Sequence, residues 1–83
     1  MIDTPRFYNT AQRIQSRLAK AGLRCALGVA IHGEWLVFTA IFEGGRRIDA
    51  RVDLKEFMAV KSIRMVAELV AMEVQSAFAE DRN

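Results

Sequence analysis

The side chains able to do chemistry are few in this chain. His32 is its only histidine and Cys25 its only thiol. Cys25 falls in a strand and His32 in the turn that follows it, and the register expected for the sheet puts them on opposite faces, so they make no nucleophile–base pair. Asp49 and Asp53 share a strand face, but each has a structural role open to it, across the sheet or at a helix cap. Neither has an acid–base partner of different pKa. Gly44-Gly45 lacks the surrounding G-x-x-x-x-G-K-[ST] of a phosphate loop, and no cluster has metal-ligand spacing. The expected protein is therefore not an enzyme, with no catalytic residue, no metal and no cofactor. Two binding chemistries remain. Arg13, Arg17 and Lys20 form a cationic row at helical spacing, continued by Arg24 and preceded by Arg6, and no acid lies between Asp3 and Glu34. Such a row suits phosphate. Further on, Phe38 and Phe42 are interleaved with Arg47 and Arg51, a composition enriched at protein interfaces and also suited to stacking single-stranded bases.

Composition narrows the setting. Eighty-three residues make one domain, near the size at which a single core is only just sufficient. With 52% hydrophobic residues and one proline, the chain should fold. A single cysteine forms no intrachain disulfide and fits a reducing compartment. MIDTPRFYNT has no signal-peptide pattern, and no apolar run approaches the roughly 18 residues of a membrane span, so a soluble, cytoplasmic protein without a membrane partner is expected. The net charge of +2 is unevenly spread: residues 1–51 hold eight Lys/Arg against four Asp/Glu, and residues 52–83 hold four against six. Such asymmetry marks either a nucleic-acid or acidic-partner surface, or simply a solvated basic face, which is the reading taken here.

The elements follow from periodicity. WLVFTAIFEGGRRIDARVDL reads as a hairpin closed by a two-residue Gly44-Gly45 turn. Setting Glu43 opposite Arg46 places Trp35, Val37, Thr39 and Ile41 with Ile48, Ala50, Val52 and Leu54 on the core face. Leu36, Phe38 and Phe42 then stand with Arg47 and Arg51 on the outer face. A preceding strand, Leu23 to Ile31, puts Cys25, Leu27, Val29 and Ile31 inward. A three-residue His32-Gly33-Glu34 turn is chosen over a two-residue one because it buries more. A first helix opens at Thr4-Pro5, carries the stripe Phe7, Ala11, Ile14, Leu18 and Ala21, and ends at Gly22. Asp53-Leu54-Lys55-Glu56 has the form of a capping box. The helix that follows, to about Ala79, would be about 39 Å long against strands of about 27 Å, so it must overhang or bend near Lys61-Ser62. Its core stripe is Ala59, Ile63, Val66, Val70, Val74 and Ala77. A second, wider stripe of Phe57, Met58, Met65, Leu69, Met72 and Phe78 exceeds what one neighbour covers, which implies a homodimer near Leu69, Met72 and Phe78.

The expected fold is thus α+β, helix–strand–strand–strand–helix, with both helices on one face of a three-stranded antiparallel sheet. This order resembles the double-stranded RNA-binding domain, and IHGEWLVFTAIFEGG resembles that family's first inter-strand loop and second strand. The resemblance implies groove-facing roles for Gln12, Arg13 and Arg17 on the first helix and His32 in the loop. Where that family opens its second helix with a lysine cluster, LKEFMAVKSIR has only Lys55 and Lys61. The loop keeps a histidine without the family's proline.

The leading expectation is a small, non-catalytic protein-binding module, of the kind with which phages occlude a host protein. Leu36, Phe38, Phe42, Arg47 and Arg51 would touch a protein partner of unknown identity, and Leu69, Met72 and Phe78 a second copy. The alternative is nucleic-acid binding through Gln12, Arg13, Arg17, Lys20, Arg24 and His32, or through the phenylalanine–arginine face.

Overall fold

Two glycine turns set the sheet. The computed structural model of the protein describes residues 4–59 and 62–81. Helix α1 (Thr4–Lys20) leads to strands β1 (Cys25–His32), β2 (Trp35–Phe42) and β3 (Arg47–Asp53), then to helices α2 (Leu54–Ala59) and α3 (Ile63–Asp81). The strands form one antiparallel sheet in the order β1-β2-β3. His32 pairs directly with Trp35, leaving a two-residue turn in which Gly33 has φ +60° and Glu34 a negative φ. That is a type II′ turn, whose first central position needs glycine. The second turn is longer. Phe42 N–H donates to Arg46 C=O at 2.7 Å and Gly45 N–H to Phe42 C=O at 3.0 Å, closing a three-residue loop with positive φ at Gly44 and Gly45.

These loop lengths correct the expected register. Ala40 pairs with Ile48, Phe38 with Ala50 and Leu36 with Val52, one residue away from the pairing a two-residue Gly-Gly turn would make. A one-residue slip exchanges the faces of a strand. Leu36, Phe38, Ala40 and Phe42 therefore point into the core, and Phe38 retains no accessible surface. Trp35, Val37, Thr39 and Ile41 take the outer face. Polar atoms favour this outcome: buried opposite Ala50, Thr39 would have left a hydroxyl without a partner, whereas outside it donates to Asp49. β1 keeps its expected inward residues, Cys25, Leu27 and Val29, because its turn is one residue shorter just as β2 is inverted.

Both long helices lie on the inward face, α1 over β1 and α3 over β3, and they pack on each other. Phe7, Ala11, Ile14 and Leu18 of α1 meet Val66, Val70 and Val74 of α3 above the β2 side chains. α1 ends as expected at Gly22: Gly22 N–H donates to Ala19 C=O and Leu23 N–H to Leu18 C=O, the paired bonds of a Schellman motif. The Asp53 cap is also formed, its Oδ1 accepting the Glu56 N–H at 3.1 Å. The helix it starts is short, however. α2 stops at Ala59 and α3 begins anew at Ile63, after Ser62, a residue type favoured just before a helix. Lys61, where a bend was expected, lies outside the described residues. The interruption leaves α3 with 19 residues, about 28 Å, which matches the eight-residue strands at about 27 Å. Phe57 of α2 is fully buried and stacks at a tilt on Phe7, 5.4 Å between centroids, so the short helix pins the start of α1. Among the described residues, no helix is long and apolar enough to cross a membrane.

The register has a direct test. Phe38→Ala should lower stability in chemical denaturation by about 3–5 kcal/mol, the usual cost of emptying a fully buried ring. Val37→Ala, one residue away on the outer face, should cost less than about 1 kcal/mol. The reverse order of damage would refute the pairing.

Candidate interaction surfaces

The outer sheet face is built in four rows across the strands: Ala26–Ile41–Arg47, Gly28–Thr39–Asp49, Ala30–Val37–Arg51 and His32–Trp35–Asp53. β1 contributes only small side chains before His32, β2 the apolar ones, and β3 the charges. Those charges are engaged within the sheet. Asp49 Oδ1 accepts from the Thr39 hydroxyl at 2.7 Å and from Arg47 Nε at 3.3 Å. The Arg51 guanidinium lies 4.8 Å from the centroid of the Trp35 ring, a diagonal cross-strand contact. Leu36, Phe38 and Phe42, expected on this face, are core residues instead. Arg47 and Arg51 do lie on it, but their partners are Asp49 and Trp35 and not phenylalanine rings.

The hydroxyl of Thr39, then the Arg47 side chain, hold the Asp49 carboxyl below its usual pKa. A carboxylate depressed in the folded state contributes stability that is complete above its unfolded pKa, about 3.9, and lost as pH falls through the lower folded value. Asp49→Asn should therefore lower stability slightly at neutral pH, where the carboxylate contributes, leave it nearly unchanged at the acid end, and so flatten the acid limb of stability against pH. An unaltered acid limb in urea melts between pH 2 and 5 would show that the contact carries no linkage.

Cys25 and His32 sit at opposite ends of β1, about 23 Å apart along the strand and on opposite faces. Burial pushes the Cys25 thiol above its ordinary pKa, which withholds the thiolate a nucleophile needs. Gln15 donates to the Cys25 carbonyl at 2.8 Å. Among the described residues, no three His, Cys, Asp or Glu side chains gather where a metal ion would fit.

Two depressions flank α3. One, of about 490 Å³, opens between the β3 side of the sheet, α2 and α3. Phe57, Val66 and Val70, all buried, and the exposed Trp35, Met65 and Leu69 line it together with Arg51, Asp53, Glu56 and Glu73. Met65, Leu69 and Met72 continue outward as one helical stripe, each 60 to 61% exposed. Phe78, expected beside Leu69 and Met72, does not belong to that stripe. Its ring packs 4.8 Å from that of Phe42, and Arg46 lies 4.0 Å above it while donating to the Phe78 carbonyl at 2.8 Å. The other depression, of about 210 Å³, lies between α1 and α3 and is lined by Arg13, Ser16, Arg17 and Lys20 with Arg64, Ala67 and Glu68.

Comparison with protein-family models, curated proteins and solved structures finds no match.

The expected nucleic-acid residues are thus only partly gathered. Arg13, Arg17 and Lys20 line one cleft. Gln12 is exposed on α1 outside it, Arg24 borders a separate depression with Phe42 and Arg46, and His32 stands on the outer sheet face. Sequence reasoning missed Trp35 and Met65 at the groove and Arg64 at the cleft. The Met65, Leu69, Met72 spacing was visible in the chain; the meeting of Arg64 with α1 required the helices to be packed.

Proposed function

We propose that this protein is a non-catalytic protein-binding module whose docking surface is the apolar groove between β3, α2 and α3. The observation that carries this reading is the continuity of exposed Trp35, Met65 and Leu69 with the buried Phe57, Val66 and Val70, on a domain so small. Contiguous apolar surface of this kind marks interaction sites in soluble proteins, and methionine adapts readily to the shape of a partner. The rim selects the partner's chemistry. Asp53, Glu56 and Glu73 outnumber Arg51, whose guanidinium is already laid on Trp35. The fitting occupant is a protein segment with an apolar anchor flanked by basic residues. The proposed mode of action is occlusion of the partner's surface, as phage-encoded inhibitors of host proteins act, and the unpaired thiol supports a reducing, cytoplasmic setting.

The groove is tested with a partner captured from the native cell in the presence of nuclease and then purified. Met65→Ala combined with Leu69→Ala should weaken its binding by about 2 kcal/mol or more. The melting temperature should hardly change, because both side chains are exposed. A partner that binds the double variant as tightly as the wild type would exclude the groove as its dock.

Self-association is part of the same reading. In the absence of a partner, the stripe of Met65, Leu69 and Met72 should pair with a second copy across a two-fold axis. Light scattering at tens of micromolar should give a dimer for the wild type and a monomer for Leu69→Asp. A monomeric wild type would remove the homodimer and leave the partner groove standing.

A further inference from the structure

We infer that the cleft between α1 and α3 is a binding site for a phosphate group, held by Arg13, Arg17, Lys20 and Arg64. Three of these cations come from successive turns of α1, and folding brings the fourth to them from α3. Against four cations the lining offers a single carboxylate, Glu68. Among the described residues, none of the four side chains makes a hydrogen bond or an ion pair. By contrast Arg6 lies over Phe57, Arg46 over Phe78, Arg47 beside Asp49 and Arg51 over Trp35. Gathering unpaired like charges across a helix seam raises the energy of the folded state unless an anion joins them. Ser16 and Ala67, both small, keep the space between the helices open, and the serine adds a hydroxyl donor.

The chemistry of the four side chains selects the anion. Guanidinium groups offer planar, paired donors that match two oxygens of a phosphate, and lysine adds a point charge. Size points the same way: the cleft measures about 210 Å³, below the roughly 300 Å³ at which pockets for drug-sized ligands begin. It is large enough for a phosphate or diphosphate group and smaller than a pocket for a drug-sized ligand. That group is either free, as in a small polyphosphate, or part of a nucleic-acid backbone lying across the mouth. The site shares no lining residue with the protein-docking groove and stands or falls apart from it.

Titration calorimetry at low salt separates these cases, with sodium pyrophosphate in one arm and a short RNA duplex in the other. Arg17→Ala and Arg64→Ala should each weaken binding about ten-fold, the loss of one charge-assisted contact. In the duplex arm each should also reduce the salt slope by about one. Arg24→Ala, which removes an exposed cation outside the cleft, should leave affinity nearly unchanged. Relief of repulsion should hold or raise the melting temperature of Arg64→Ala, so its weakened binding cannot be attributed to unfolding. Binding of pyrophosphate identifies a free phosphate compound as the ligand, and binding of the duplex alone identifies the backbone. Silence from both arms, or equal weakening by Arg24→Ala, overturns the assignment.

Discussion

The hydrogen bond from Phe42 N–H to Arg46 C=O, 2.7 Å long, determines which half of β2 becomes the core. It closes the second hairpin one residue beyond a Gly-Gly turn, and the side-chain period of two carries that choice along the whole strand. With it, Leu36, Phe38, Ala40 and Phe42 supply the floor on which α1 and α3 rest. Without it, the indole of Trp35 and the hydroxyl of Thr39 would face the helices, and both would need buried hydrogen-bond partners. Arg46 then secures the same corner from the other side. Its guanidinium covers the Phe78 ring and donates to the carbonyl at the end of α3, so the hairpin and the last turns of that helix hold each other.

The division of α2 from α3 has consequences for every surface. A single continuous helix would project past the sheet. Breaking it lets α3 run the length of the strands while α2 turns across the sheet end, where Asp53 caps it and the Leu54 N–H donates to Glu34 C=O in the first hairpin turn. Phe57 is thereby driven under Phe7, and the step between the two helices opens the apolar groove at Met65 and Leu69. On its other side α3 meets α1 through small and aliphatic residues, which brings Arg64 beside Arg13, Arg17 and Lys20. One helix thus borders an acidic-rimmed apolar groove and a cationic cleft, two surfaces of opposite electrostatic character on a chain of nearly balanced charge.

Much of this was legible in the chain. Helix α1 is marked by its apolar stripe and its glycine stop, and β3 by strict alternation of Ile48, Ala50 and Val52 with charged residues, which leaves only one way to face. The Asp53 cap follows from its spacing to Glu56. The row of Arg13, Arg17 and Lys20 and the stripe of Met65, Leu69 and Met72 need nothing beyond the helical period. These features are local: each depends on residues within a turn or two, where backbone geometry alone dictates the neighbours.

What only the tertiary structure decided is the facing of β2, and with it the identity of the outer surface. WLVFTAIF is apolar on both of its faces, so periodicity assigns it to neither, and the choice passes to loop length and to whether Thr39 finds a hydrogen-bond partner. Phe38 and Phe42 were exchanged with Trp35, Val37 and Ile41 for that reason. Phe78 was withdrawn from the exposed stripe of α3 by Phe42 and Arg46, and Arg64 was delivered to a cleft on α1. Those pairs are separated by up to 51 positions in the chain, and no local rule relates residues so far apart. Helices and turns are written in short-range geometry; the meeting of two surfaces is written only in the packed chain.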